Sequence, residues 1–372
     1  MKAKLIYSNS STTTNDVQYC SGFIAPDPIL LIVLRDKQFL VVPKMEYSRA
    51  LREVKPTVSV YTPEMLCLSA KKRSNIVEQI QAIASLKNIK SFEIGYDFPS
   101  GIYAKLLSKG WKINLTKKNN FPERRIKNKD EVKNIAYSQK AAASGVDVAI
   151  QMIASSSIGE RGGLFDSNGI ITSERVRESI QIELLKFGCV GRDIIVACGD
   201  HSADPHERGF GPLFAQQPII LDVFPRSEKS GYWGDITRTV CKGAAPSDLK
   251  KMYRAVFLAQ KIALSHIRAG ISGDEVHQRV CDSLKKSGFE TGEANGINYG
   301  FFHGTGHGVG LDIHETPRIG RSGEILRIGD VVTVEPGLYY PGIGGVRIED
   351  TVCVKADGYR LLARCPKIFE LK

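Results

Sequence analysis

Acidic side chains stand inside apolar, strand-like runs in the C-terminal half of this chain, and that placement constrains its fold most. Asp222 lies in Ile-Ile-Leu-Asp222-Val, Asp235 in Gly-Asp235-Ile-Thr-Arg-Thr, Glu335 in Val-Thr-Val-Glu335-Pro-Gly and Glu349 in Val-Arg-Ile-Glu349-Asp. A carboxylate buried alone in such a run carries a large desolvation penalty. Bound divalent cations would compensate several of these acids at once. One imidazole joins them, His307 in His303-Gly-Thr-Gly-His307-Gly-Val-Gly-Leu-Asp-Ile-His314-Glu. Carboxylates with a single imidazole suit Mn, Co, Fe or Zn better than a thiolate-seeking ion. The pattern reads as a two-metal hydrolase.

At 372 residues the chain is long for one domain and fits two. Hydrophobic residues make up 42% and charged residues 24%, close to the globular average, so a full core can form. No apolar stretch approaches the ~20 residues that span a bilayer. The opening Met1-Lys-Ala-Lys-Leu-Ile lacks the apolar core of a secretory signal. The eight cysteines are scattered without a Cys-x-x-Cys pair, which argues against a zinc knuckle or a disulfide framework and makes a reducing cytoplasm the expectation. The net charge of +11 invites a nucleic-acid reading. The basic clusters, such as Lys71-Lys72-Arg73, lack interleaved aromatic motifs, so the expectation is a solvated basic surface with no nucleic-acid or membrane partner.

The organisation is α+β. Residues 1–120 read as a small α/β domain: apolar runs at 30–34 and 39–42 form a plausible hairpin, helical spacing covers 74–86, a short strand 91–95, and a helix 100–108 stops at Gly110. The polar segment 117–127, interrupted by Pro122, reads as the boundary before a second domain at 121–372. There a long helical pattern runs from Asn128 to about Ala154, and a second helix follows Thr172 or Ser173 as cap, with Glu174 in its positive first turn. Strands and glycine-rich turns dominate from Ile194, broken by helical patterns at 246–268 and 273–287.

The motifs map onto this frame. Residues 218–224 and 235–241 read as two strands joined by a loop, where Asp222 and Asp235 could reach the same ions; the alternative is that Asp222 ends a strand and Asp235 caps a turn. Val331-Val-Thr-Val is a strand, 336–345 is turn-rich, and 346–352 is the return strand. Alternation there places Arg347, Glu349 and Thr351 on one face. Three of the chain's seven histidines fall within twelve residues of the glycine-rich segment, whose glycines leave the backbone unusually free to bend. His314-Glu-Thr-Pro-Arg318 is not His-Glu-x-x-His, which excludes a thermolysin-type zinc helix.

From Arg124 to the C-terminus the ordered Asp, Asp, His, Glu, Glu pattern resembles the pita-bread metallopeptidases, a family that includes methionine aminopeptidase, aminopeptidase P and prolidase. That resemblance implies a curved antiparallel sheet covered by helices, preceded by a creatinase-type N-terminal domain. It implies two divalent ions, manganese foremost with Co, Zn or Fe as alternatives, on Asp222, Asp235, His307, Glu335 and Glu349. His303 and His314 resemble substrate-facing histidines, and His206, rather than nearby His201, resembles an upstream histidine near the leaving or N-terminal side of the substrate. Arg318 resembles an arginine that holds a substrate carboxylate by a bidentate bond. The family's two aspartates usually sit eleven apart, whereas Asp222 and Asp235 are thirteen apart. Two extra residues within 225–231 are expected to lengthen the loop without moving either strand.

The implied reaction is hydrolysis of an Xaa-Pro bond, either at the N-terminus of peptides or in dipeptides. Glu335 would be ligand and proton shuttle, and His314 and His206 would donate to the oxyanion or the departing nitrogen. His303 would orient substrate, Arg347 would fix a neighbouring acid, and Tyr339 would supply a hydroxyl or belong to the core. Methionine aminopeptidase activity and a non-catalytic binding protein on the same fold are the alternatives. A homodimer is expected by analogy.

Overall fold

The computed structural model describes residues 1–116, 120–321 and 323–372, which form two compact units, Met1–Arg124 and Arg125–Lys372. Residues 117–119 of the expected boundary segment lie outside the described residues. In the first unit a six-stranded mixed sheet runs in the order Val58–Tyr61, Lys37–Val41, Leu30–Leu34, Lys2–Tyr7, Ser91–Ile94, Lys112–Leu115. Alternation sends Leu30 and Ile32 to one face, against helices Ile76–Leu86 and Ser100–Ser108. Leu31 goes to the other face, with Val17 and Cys20 of helix Ser11–Ser21. Both faces are covered, so the strands read as continuous apolar runs. The central strand Lys2–Tyr7 was not anticipated, because its two lysines mask a short run that is buried at Ala3, Leu5 and Ile6.

The second unit is built as two similar halves. In the first, helices Lys129–Ala154 and Ser173–Lys186 cover a sheet ordered Ile195–Cys198, Ile219–Val223, Ile236–Lys242, Glu370–Leu371, and share one core with it. In the second, helices Ser247–His266 and Gly273–Lys286 cover a sheet ordered Glu315–Ile319, Gly306–Gly308, Val331–Val334, Asp350–Lys355, Gly358–Leu361. The helix starts follow their capping chemistry. Asn128 accepts from the amides of Asp130 and Glu131 while Glu131 reaches back to the Asn128 N–H, and Thr172 accepts from Arg175 N. Among the described residues no helix is long and apolar enough to cross a membrane.

Two local expectations need correction. The segment 336–345 is not all turn: Gly337–Tyr340 is a strand paired with Gly344–Arg347. The expected return strand 346–352 is broken. Gly344–Arg347 stays with its hairpin partner, whereas Asp350–Lys355 joins Val331–Val334. At the break Ile348 N bonds to Pro336 O, but Glu349 N bonds to Thr237 O. The chain thus passes from its own hairpin to the edge of the first half's sheet, and the two halves are stitched together at Glu349.

Candidate metal centre

The stitch is where the acids meet. Strands Ile219–Val223 and Ile236–Lys242 pair antiparallel in unbroken register from Ile219↔Val240 to Val223↔Ile236, with Asp222 opposite Thr237. The longer loop therefore leaves the ladder intact. Asp235 precedes the second strand by one residue and shares the face of Thr237 by alternation. Its peptide is gripped on both sides by Gln139, whose Oε1 accepts from Asp235 N and whose Nε2 donates to Asp235 O, each at 2.7 Å, and Thr351 Oγ1 donates to the same carbonyl at 2.9 Å. From the second half, Glu335 leaves the end of strand Val331–Val334 and Glu349 occupies the break described above.

His307 sits where three strands crowd together. None of Gly304, Gly306, Gly308 and Gly310 adopts a left-handed backbone. Gly306 serves close approach instead, since a Cβ there would fall 2.0 Å from Thr333 O. A register shift between His307 and Gly308 bends the neighbouring ladder. It leaves the His314 ring centroid 4.4 Å from that of His307, a proximity that their spacing of seven does not provide by itself.

Ligand atoms of Asp235, His307 and Glu349 lie within 4.8 Å of one another. Glu335 joins through His307, with Oε1 3.3 Å from Nε2, and Asp235 Oδ2 is 3.6 Å from the same nitrogen. Asp222 joins through Thr237, whose hydroxyl faces Asp222 Oδ1 at 2.9 Å and Glu349 Oε2 at 2.7 Å. Arg347 closes this side: Nη2 donates to Asp222 Oδ2 at 2.7 Å, Nε to Thr237 Oγ1 at 3.2 Å and Nη1 to the Tyr339 hydroxyl at 2.8 Å.

Three observations show that the cluster fits cations. His307 Nδ1 lies 3.1 Å from the Gly308 carbonyl, which can only accept, so Nδ1 carries the hydrogen and the Nε2 lone pair faces the oxygens of Asp235 and Glu335. Among the described residues Glu349 Oε1 is buried without a hydrogen-bond partner. The acids also raise one another. Burial, then the charges of Glu349, Asp222 and Glu335, hold the Asp235 carboxyl well above the usual carboxylate range. Burial, then Glu335 and Asp222, does the same to Glu349. Burial pushes Glu335 up to about 7 against the lowering effect of Arg347. Burial also lowers His307 to about 4, which keeps its lone pair available. Oxygen donors with one neutral imidazole, crowded until they hold protons, are what a divalent cation relieves.

The remaining expected residues lie around this centre. His303 has both nitrogens engaged: Nδ1 donates to Gly304 O at 2.7 Å and Nε2 accepts from Tyr339, 3.1 Å away. Burial and the Arg347 charge lower it to about 3, so it is neutral. Tyr339 is fully buried and pushed up to about 12, a phenol fixed between Arg347 and His303. His314 is exposed; desolvation, then the nearness of His307 and Arg318, lower it to about 4. His206 is exposed on the loop whose Pro205 carbonyl accepts from Arg347 at 3.4 Å. His201 instead packs on Phe210, ring centroids 4.1 Å apart. Arg318 is exposed and stands opposite His307 in the ladder. Sequence reasoning missed Gln139, the bridging role of Thr237, and Arg238. Fully buried, Arg238 donates to Asp350 and to the carbonyls of Glu349 and Cys365.

The Metallopeptidase family M24 pattern matches residues 133–356, and the Creatinase/Prolidase N-terminal domain pattern matches residues 1–113. An uncharacterized peptidase of Bacillus subtilis, YqhT, is 40% identical over 176 residues, 47% of each chain. An Xaa-Pro dipeptidase of Pyrococcus horikoshii is 31% identical over 83% of this chain and 84% of its own length. The solved prolidase of Pyrococcus horikoshii OT3 superimposes with a TM-score of 0.80 at 27% identity, covering 99% of this chain and 95% of its own. With the family pattern spanning both halves and every acid of the centre, the chain belongs to metallopeptidase family M24 and carries the creatinase/prolidase N-terminal domain ahead of its peptidase domain.

Proposed function

We propose that this protein is an Xaa-Pro peptidase, hydrolysing the bond before a proline at the second position of dipeptides or longer peptides. The observation that carries the metal-dependent reading is the His307 lone pair directed at two carboxylates beside the unpartnered Glu349 oxygen. The proline preference is supported by the similarity to the Pyrococcus dipeptidase along most of both chains. Asp222, Asp235, His307, Glu335 and Glu349 would hold two divalent ions, manganese foremost. Bound there, the ions supply Lewis acidity and bring the pKa of a water toward neutrality.

The chain's own residues do the rest. Glu335, at the end of strand Val331–Val334 and beside His307, would take a proton from the attacking water and return it to the departing proline nitrogen. Neutral His314, over His307, donates an N–H to the developing oxyanion, and His206 contributes from the opposite loop. Arg347 orients Asp222 through its Nη2 hydrogen bond, and His303 holds the Tyr339 phenol in place for Arg347. Exposed Arg318 suits a bidentate bond to the carboxylate of a short substrate. Eight unpaired cysteines suit a reducing cytoplasm, and light scattering tests the homodimer expected by analogy.

The test is a panel of Xaa-Pro dipeptides, Xaa-Pro-Yaa tripeptides and Met-Ala peptides with added Mn, Co or Zn. Cleavage of the proline peptides, abolished by chelation, is expected. Cleavage confined to dipeptides assigns a prolidase, and to tripeptides an aminopeptidase of the Xaa-Pro type. Metal-loaded protein that cleaves Met-Ala peptides and no proline peptide refutes the reading.

A further inference from the structure

The segment 310–315 carries His314 over the centre, and it is held by residues that the reaction above does not use. Trp233 reaches it from the loop between the two aspartates. Its backbone N–H donates to Gly310 O and its indole Nε1–H to Leu311 O, each at 2.9 Å. Two bonds onto consecutive carbonyls fix both the position and the twist of the segment as it leaves His307. At the other end, Glu315 Oε1 accepts from Asp312 N at 3.0 Å while Oε2 takes the Lys127 ammonium at 2.9 Å. Those two side chains are 8% and 1% exposed, so this second anchor is buried.

Trp233 is itself well founded. It bridges to Arg226 across its loop, Tyr232 before it donates its hydroxyl to Glu131 Oε1 at 2.8 Å, and Gly234 after it donates to Pro225 O at 2.9 Å. His314 is exposed and rests against the His307 ring, so the course of its backbone sets where its own ring stands over that partner.

We propose that Trp233 is a positioning residue: by holding the Gly310 and Leu311 carbonyls it sets the place of His314 relative to His307 and thereby the hydrogen bond that His314 gives to substrate. This inference rests on the Xaa-Pro peptidase reading. The indole N–H, not the bulk of the ring, makes the bond to Leu311, which determines the choice of variants.

W233F keeps an aromatic ring and loses the donor. In the metal-loaded enzyme acting on a proline peptide, kcat is expected to fall about 10-fold or more with metal content and KM unchanged. W233H places its Nε2 as many bonds from Cβ as the indole Nε1, so it should recover part of the loss, and it carries the test if W233F fails to fold. In an H314A background W233F should add little, because the residue it positions is gone. Amide deuterium exchange of 310–315 should quicken in W233F while the rest of the domain is unaffected. A wild-type kcat in W233F, or an equal loss with and without His314, overturns the proposal. Should the wild-type protein cleave no proline peptide, the peptidase reading fails on that result. The exchange of 310–315 then decides the clamp separately: unchanged exchange overturns it, and faster exchange confined to that segment supports it.

Discussion

Thr237 shows how few hydrogens the centre can offer its acids. Its single hydroxyl hydrogen has two claimants, Asp222 Oδ1 and Glu349 Oε2, while its oxygen accepts from Arg347 Nε. Among the described residues, apart from Arg347 on Asp222, the other side-chain donor to the acids is Thr333, 3.3 Å from Glu335 Oε1. Thr237→Val, nearly isosteric, would remove the hydrogen and leave Asp222 and Glu349 less well oriented. Loss of such an outer partner typically costs about 10–100-fold in metal affinity. We expect that loss when chelator-stripped T237V is titrated with Mn, with Thr237→Ser retaining most of the affinity; wild-type affinity in T237V would remove Thr237 from the account. The acids were legible in the sequence because each interrupts an apolar run. Thr237 was not, because a threonine in a strand is what β-propensity alone selects.

At the level of elements the peptidase domain is two helix-covered sheets, and the centre depends on how closely each helix approaches its strand. Gly234 passes against helix Lys129–Ala154 so tightly that a Cβ would lie 2.5 Å from both Ser138 C and Gln139 N. Gly234→Ala must push the helix or the Asp235 peptide away, breaking the paired bonds from Gln139. Overpacking of this kind costs about 1–3 kcal/mol. A lowered Tm together with weakened metal binding is the expected outcome; a lowered Tm with unchanged metal affinity would mean that the strand absorbs the strain without moving Asp235. The helices themselves were readable, since the caps at Asn128 and Thr172 and the 3.6-residue period agree. The strand Lys2–Tyr7 escaped notice because two lysines alternate with its buried residues. The break at Ile348 and Glu349 was not readable for a different reason. The partner of the Glu349 amide is Thr237 O, 112 residues earlier, and nothing local announces a bond across that distance.

For the whole molecule the acids and histidines of the centre set how stability responds to pH and metal. Without metal, Glu335 is raised to about 7 and Asp235 and Glu349 are raised well above their usual range, so folding takes up protons once the unfolded acids have ionised. His303, His307 and His314, lowered to between about 3 and about 4, work in the opposite sense, because the unfolded imidazoles bind protons below about 6.5 that the folded ones refuse. From about 4.5 to 6.5 the two sets oppose each other. Above 6.5 the histidines are neutral in both states and drop out, leaving the acids. Stability of the metal-free protein must then fall as pH rises, until each acid passes its raised pKa. A divalent cation takes the place of those protons and removes the slope, so the stabilisation it confers should grow with pH as binding releases them. Melting curves at pH 6.5, 7.2 and 8.0, with chelator and with Mn, measure this directly, and the difference at each pH cancels titrations elsewhere in the chain. The expected result is a Tm gap that widens by several degrees from the lowest pH to the highest. A gap that is constant or narrows would mean that the three acids do not hold protons in the metal-free fold, and that their burial is compensated by the Arg347 and Thr237 network alone.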